Sequence, residues 1–160
     1  MGEESGRITL TLQNMTDTKN IQNHAHYTIS SLDNGQMLLF VWKQIADLSL
    51  ENFKAGVASF ANQCKKHRPK RIVFDARMLA SHLDLIGWIS GRKKIDNEET
   101  YSSWWLQNIV PSYHEVGILS LAVATGDPSA PGELPNKPEG VNFKVGYFPD
   151  LESALAWELK

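Results

Sequence analysis

Hydrophobic residues follow two spacings along this chain, and each spacing predicts one kind of element. Short runs, apolar throughout or at alternate positions, predict strands near 26–32, 37–43, 71–75, 118–125 and 142–148. The sequence Asp-Asn-Gly-Gln separates the first two runs, and its Asn and Gly tolerate positive φ, so we expect an antiparallel hairpin there. The second run is apolar at successive positions, which is typical of a central strand covered on both faces.

Helical spacing begins after the hairpin. Ser49 is suited to an N-cap, and apolar residues then recur on one stripe as far as Cys64. The cations at 65–68 suit the negative end of the helix dipole, and Pro69 prevents continuation. The pattern therefore predicts a helix that packs on the sheet.

Three more helices are predicted towards the C-terminus. One candidate spans 84–94, and a second runs from a capping-box-like start at Asp96 to about His114, with Pro111 expected to kink it or end it early. The last begins at an aspartate cap and turns three apolar side chains inward: Asp150, then Leu151, Ala154 and Leu155.

Strands and helices alternate after the hairpin, and this alternation predicts an α/β fold. At 160 residues we expect a single domain with a mixed sheet, in which an N-terminal hairpin is followed by parallel strands and packed helices. Four prolines at 126–140 predict a long loop without secondary structure. We assign 1–22 to a polar tail, with at most an extra edge strand at its apolar alternation (Ile8, Leu10, Leu12), and 23–160 to the α/β domain.

Composition and charge narrow the functional classes. With 42% hydrophobic and 21% charged residues the chain matches an ordinary folded protein. A formal net charge of -2 provides no field that would attract nucleic acid, so we expect no nucleic-acid partner. The single cysteine and an N-terminus unlike a signal peptide favour a cytoplasmic location. No apolar run reaches the roughly 20 residues that cross a bilayer, so we expect no integral membrane segment.

The segment 75–87, Asp-Ala-Arg-Met-Leu-Ala-Ser-His-Leu-Asp-Leu-Ile-Gly, resembles the STAS family, the fold of bacterial anti-sigma-factor antagonists. In that family a buried strand ends in Asp, and Asp-Ser-Ser/Thr-Gly follows at the start of a helix. Asp75 matches the first element, and Asp84 and Gly87 frame the second. The two hydroxyl positions hold Leu85 and Ile86, so the resemblance implies the fold without the family's phosphoacceptor serine.

A closer resemblance is to the SpoIIAA-like (STAS/Sec14-like) group of small bacterial proteins. It rests on the opening hairpin, Val-Phe-Asp-Ala-Arg at 73–77, a Trp-rich helix around 104–106 with Pro111, and the ending Tyr-Phe-Pro-Asp-Leu-Glu-Ser-Ala-Leu-Ala-Trp at 147–157. It covers roughly residues 25 to 160. The group has no common reaction to transfer, so the resemblance implies a fold more than an activity.

Motifs for catalysis or metal binding are weak. Ser90 lacks the spacing of a nucleophile elbow, Cys64 lies on the apolar stripe, and there is no glycine-rich phosphate loop. His24 and His26 would share one side of a strand, but no third ligand is placed to close a metal site. We therefore assign no catalytic residue, no metal and no cofactor.

Polar side chains follow two predicted strands at their carboxyl ends, where ligands collect in parallel α/β sheets. Asp75 and Arg77 leave one strand, and Thr125 and Asp127 leave the next. If the strands are neighbours, these four residues form a candidate ligand-binding site with the proline-rich loop above it. The alternative is structural: Asp75 caps a turn or pairs with Arg77.

An aromatic-rich helix is the other candidate surface. It carries Tyr101, Trp104 and Trp105, and adjacent tryptophans on a helix point about 100° apart, so we expect one to be half exposed beside Trp88. The helix either packs into the core or offers a dimer seam or an apolar groove.

Two main hypotheses follow. The first is a non-enzymatic STAS-like binding or regulatory module, a homodimer or a protein with another partner, that contacts a protein or an apolar small molecule through the aromatic-rich helix. The second is a small-ligand or lipid-binding protein, or an enzyme, that uses Asp75, Arg77 and Asp127. The lack of a recognisable nucleophile or acid/base pair favours the first. A third, contact with a lipid surface, rests on the basic cluster at 65–71.

Overall fold

The computed structural model describes residues 18–43, 49–79 and 101–159, and these residues form one mixed sheet with helices on both of its faces. The strands are β1 Lys19–Asn23, β2 Tyr27–Leu32, β3 Met37–Trp42, β4 Arg71–Asp75, β5 Ser120–Ala124, β6 Gly132–Glu133 and β7 Lys144–Phe148. The helices are α1 Leu50–His67, α2 Tyr101–Asn108, α3 Val110–Val116 and α4 Leu151–Glu158, and short 3-10 turns lie at Asp33–Gly35 and Arg77–Leu79.

The strand order is β1-β2-β3-β4-β5-β7-β6. β1, β2 and β3 pair antiparallel, and β4, β5 and β7 continue from β3 in parallel. The hairpin reverses through Asp33, Asn34 and Gly35, all with positive φ. The predicted α/β class, hairpin and parallel strands are confirmed, whereas the STAS-type assignment stays a prediction. The predicted strand at 8–12 lies outside the described residues, and β1 spans the predicted domain boundary at residue 22.

The helix ends follow the capping predictions. Ser49 Oγ accepts a hydrogen bond from the Asn52 backbone N–H at 3.0 Å, and α1 ends at Arg68, which has the left-handed φ of 53°. Asp150 Oδ1 accepts from the Ser153 backbone N–H at 2.8 Å and caps α4 in the same way. These side chains satisfy amide groups that have no partner within the helix.

The predicted helix to about His114 is interrupted, as Pro111 led us to expect. α2 and α3 are separated at Ile109, and Pro111 occupies the first turn of α3, where its missing N–H costs no intrahelical hydrogen bond. The helix predicted at 84–94 and the start predicted at Asp96 lie outside the described residues.

The proline-rich segment is not entirely a loop, and this part of the prediction was wrong. Gly132 and Glu133 form β6 and pair antiparallel with Tyr147 and Gly146 of β7. The four prolines lie on either side of this pair, so the backbone N–H groups within it remain available to the sheet. Gly132 enters the strand at a φ of 78°, which suits glycine.

Two apolar layers cover the sheet. The larger lies between the sheet and α1, α2 and α3, and the smaller lies beneath α4. The register assigns each strand side chain to a face: Phe74, Val123 and Tyr147 are cross-strand neighbours on the α1 face, whereas Ala124 and Phe148 lie on the α4 face. The same register places Asp75, the cross-strand neighbour of Ala124, on the α4 face.

Candidate functional site

A cavity of about 440 Å³ lies on the α1 face, near the carboxyl ends of the parallel strands. Its described lining is largely apolar, and the aromatic members come from the sheet, α1 and α2: Trp42, Phe53, Phe74, Trp105 and Tyr147. Small-molecule sites in proteins are typically apolar clefts of about 300–1,000 Å³. The cavity therefore has the size and lining of a small-molecule site.

The floor of the cavity is built by strand alternation. Phe74, Val123 and Tyr147 occupy one row across β4, β5 and β7, so all three present their side chains to the same face. At one end Trp42 stacks on Phe53, with 5.0 Å between ring centroids, and both are almost wholly buried. The floor is thus part of the close-packed core, and ligand contact would extend that core.

The helical wall is formed by Trp105 and Leu106 of α2, both partly buried. The ring of Trp105 lies edge-on to Tyr113 of α3 at 6.3 Å and to Phe143 at 6.2 Å, measured between centroids. Such edge-to-face contacts favour one ring orientation. Trp105 therefore forms a positioned wall of the cavity.

The remaining wall comes from the proline-rich segment. The Leu134 backbone N–H donates to the Val145 carbonyl at 2.9 Å, and Trp157 Nε1 donates to Glu133 Oε1 at 2.7 Å. These bonds fix the segment at the edge of the sheet, where Leu134 and Pro138 line the cavity. The segment was predicted to lie above Asp75 and Asp127, whereas its residues 134–139 contribute to the opposite face.

Three polar side chains complete the described lining: Asn136, Glu139 and Tyr147. Burial raises the pKa of Tyr147, because desolvation disfavours the phenolate, so this hydroxyl stays neutral at physiological pH. Glu139 is exposed on the segment. No lysine, arginine or histidine is found among the lining residues that the structure describes.

The Asp75 and Arg77 candidates form a closed ion pair. Asp75 is buried, and its register with Ala124 and Phe148 places it on the α4 face, away from the cavity. Arg77 Nε donates to Asp75 Oδ1 and its terminal nitrogen to Oδ2, each at 2.8 Å, while the Arg77 backbone N–H adds a third bond. The Asp75 hydrogen bond raises the pKa of Arg77 further. The geometry supports the structural alternative for this pair.

The other half of that candidate site is a turn. Thr125 Oγ1 donates to the Phe148 carbonyl at 3.2 Å and accepts from the Asp127 backbone N–H at 3.0 Å. The Asp127 carboxylate accepts from both the backbone and the hydroxyl of Ser129. β4 and β5 are neighbours as the hypothesis required, but Thr125 attaches the chain to the end of β7, and Asp127 holds the turn together through Ser129.

The tryptophan candidates are partly buried. Trp104 and Trp105 both pack against the larger core, and Lys54 Nζ lies 5.0 Å from the centroid of the Trp104 ring. Only Trp105 lines the cavity. Trp88 and the side chain of Tyr101 lie outside the described residues, and the homodimer stays a prediction.

The other candidate residues from the sequence, Cys64, His24 and His26, do not line the cavity. Burial raises the pKa of the Cys64 thiol, which keeps it protonated. His24 Nδ1 accepts from the His26 backbone N–H at 3.0 Å, and the His24 ring stacks on Tyr27. Within 18–43, 49–79 and 101–159 no three potential ligands gather as a metal site would require. No helix in the same ranges has the length and apolarity needed to cross a membrane.

Comparison with protein-family models, curated proteins and solved structures finds no match to this chain. The geometry of the cavity is therefore the basis for a functional proposal.

Most of the cavity was missed at the sequence level. Phe53 and Val57 belong to the predicted apolar stripe of α1, but a stripe does not distinguish core positions from cavity walls. Tyr147 offered one signal, a polar aromatic in a predicted buried strand. Leu134, the single large apolar residue among the prolines of 126–140, offered another.

Proposed function

We propose that this protein is a non-enzymatic binding protein that holds an apolar small molecule in the cavity beside Trp105. The observation that carries the proposal is the cavity itself, about 440 Å³ in volume and lined by aromatic and aliphatic side chains. A protein core is normally close-packed, with few voids larger than a water molecule. A cavity of this size at the carboxyl ends of parallel strands is in the region where α/β sheets bind ligands.

The chemistry of the lining supports binding over catalysis. The described lining holds no serine, cysteine or histidine, so it contains neither a Ser–His nor a Cys–His pair of the kind used in nucleophilic catalysis. Its apolar surface instead favours ligands that lose contact with water, at about 25 cal/mol for each Å² buried. The hydroxyl of Tyr147 and the amide of Asn136 provide hydrogen-bonding groups for one polar substituent.

The cavity is open to solvent on the side where its lining residues are only partly buried. Trp105, Leu106 and Leu134 surround the cavity and retain contact with solvent, whereas Trp42 and Phe53 at the far end are 1% and 2% exposed. The gradient from exposed to buried lining describes a cleft with an entrance beside α2. A ligand seated there would cover the exposed face of Trp105.

Titration with N-phenyl-1-naphthylamine, a neutral apolar dye whose fluorescence rises on leaving water, tests the proposal. At about 0.3 kcal/mol for each non-hydrogen atom, a dye of this size should bind with a dissociation constant on the order of 100 μM or tighter. Leu134→Trp should narrow the cavity, because Leu134 is part of its lining, and should weaken binding about tenfold. Leu119→Trp, at a residue 55% exposed and outside the cavity, is the matched control and should bind as wild type.

A second variant is needed because the tryptophan introduced at position 134 could rotate into solvent and leave the cavity open. Trp105→Ala removes an aromatic wall and should also weaken the dye, while circular dichroism reports whether the fold is retained. Absence of dye binding to the wild-type chain contradicts the proposal. Equal binding by Leu134→Trp, Trp105→Ala and wild type contradicts it too, since the dye would then occupy another surface.

A further inference from the structure

The charge of the cavity lining indicates which apolar ligands the site accepts. Resting on the proposed function, we infer that the ligand is an organic cation: an apolar body that carries an amine or quaternary ammonium group. Glu139 and the aromatic rings of Trp105 and Tyr147, all of which line the cavity, are the groups that would recognise it.

Electrostatics disfavour an anionic ligand. Glu139 is the only charged side chain in the described lining, and no cation stands among those residues to balance a ligand carboxylate or phosphate. A fatty acid placed there would lose its hydration and face a like charge. An ammonium group would instead pair with Glu139 at the exposed side of the cavity while its apolar body remained inside.

Aromatic rings strengthen this preference. The face of a tryptophan or tyrosine ring attracts a cation within about 6 Å of its centroid, and quaternary ammonium recognition by aromatic rings uses this attraction. Tyr147 contributes as a neutral ring, because burial raises the pKa of its phenol. Trp105 and Tyr147 therefore favour a cation without presenting a positive charge of their own.

The structure already contains one such contact next to the cavity. Lys54 Nζ of α1 lies 5.0 Å from the ring centroid of Trp104, the residue before Trp105 on α2. Lys54 follows the lining residue Phe53 along α1, so it is the described cation that could balance an anionic ligand. It is not among the lining residues, and its ammonium group is over the Trp104 ring.

The test compares three ligands with the same ten-carbon chain and different head groups: decyltrimethylammonium, decanol and decanoate. Each displaces N-phenyl-1-naphthylamine from the full chain at pH 7.5, below its micelle-forming concentration. We expect the cation to bind about tenfold more tightly than the carboxylate, with the alcohol between them. Equal displacement by all three overturns the inference but leaves the proposed function standing, whereas failure of the dye itself to bind overturns the proposed function.

Glu139→Gln isolates the contribution of the carboxylate. We expect it to weaken the cation several-fold, to leave decanol unchanged and to improve decanoate. Glu115→Gln is the matched control, because Glu115 is exposed on α3 and outside the cavity, and it should change none of the three. A stronger affinity for decanoate than for the cation in the wild-type chain contradicts the inference. Loss of binding of all three ligands in Glu139→Gln contradicts it too, because Glu139 would then support the structure of the segment and would not select the charge of the ligand.

Discussion

The free energy of unfolding should decrease as the pH rises because Glu158 is buried, and replacing Glu158 with glutamine should abolish this decrease. Glu158 lies on α4 and is 2% exposed. Its Oε1 accepts a hydrogen bond from the Ser120 hydroxyl, and its Oε2 is buried without a hydrogen-bond partner among the described residues. Burial of the carboxylate raises the pKa of Glu158 to about 7, although the Ser120 hydrogen bond and the charge of Arg71 act in the opposite direction.

The sign and magnitude follow from proton linkage. The ordinary pKa of 4.5 applies in the unfolded chain, so between pH 4.5 and about 7 the folded state binds more protons than the unfolded state. The free energy of unfolding therefore falls as the pH rises through this window. At about 1.4 kcal/mol for each pH unit between the two pKa values, the complete loss is about 3 kcal/mol, of which about 2–3 kcal/mol falls between pH 5 and 8.

Urea denaturation of wild type and Glu158→Gln at pH 5, 6, 7 and 8 measures the effect. The quantity of interest is the difference in unfolding free energy between the two proteins, because contributions from the five histidines, common to both, cancel. That difference should move in favour of the glutamine variant by about 2–3 kcal/mol from pH 5 to pH 8. Glutamine keeps an acceptor for Ser120, so the comparison isolates the charge.

Glu152→Gln is the matched control. Glu152 is exposed in the first turn of the same helix, and its difference from wild type should stay flat over this pH range. A flat difference for Glu158→Gln as well would refute the reasoning, since it would mean that the Glu158 carboxylate ionises in the folded chain as easily as in water. Carbon NMR of labelled glutamate gives a direct check, because one carboxyl should titrate near pH 7.

Two further substitutions test the packing around the candidate sites. An added Cβ at Gly56 would lie 2.6 Å from Trp42 Cη2, so Gly56→Ala should lower the unfolding free energy by about 1–3 kcal/mol despite the better helix propensity of alanine. Thermal denaturation measures this loss. The control is Ala55→Gly at an exposed neighbouring position, which should cost about 1 kcal/mol from helix propensity alone. Asp75→Asn should lower the unfolding free energy by about 1–3 kcal/mol, because it breaks the ion pair with Arg77, and should leave dye binding unchanged. If dye affinity falls without a loss of stability, the residues at the carboxyl ends of the strands are the ligand site after all.

Local signals were sufficient for most of the described elements, but not for the edge strands β1 and β6. Ser49 and Asp150 cap their helices because a side-chain oxygen reaches an amide three residues away, which needs no distant partner. The hairpin follows from residues that tolerate positive φ, and the parallel direction of β4, β5 and β7 follows from their alternation with helices. These features depend on neighbours along the chain, and a sequence displays its neighbours directly.

Relations between distant segments were decided only by the tertiary structure. Asp75 and Phe74 are adjacent in sequence, yet one lies beneath α4 and the other lines the cavity, and which helix covers which face is not written in the alternation. Glu158 continues the inward stripe of Leu151, Ala154 and Leu155 and is buried, although glutamate is almost never fully buried in proteins. Ser120, thirty-eight positions earlier in the chain, supplies the hydrogen bond that accompanies its burial.

The cavity shows the same division most plainly. Its walls are apolar residues of strands and helices that the sequence predicted correctly as elements, together with a proline-rich segment that it predicted as loop. Periodicity indicates that a side chain faces inward, but the space left between inward-facing side chains depends on how sheet, helices and segment meet in three dimensions. Most of the described elements of this protein were thus predictable from its sequence, whereas the site between them was determined by their packing.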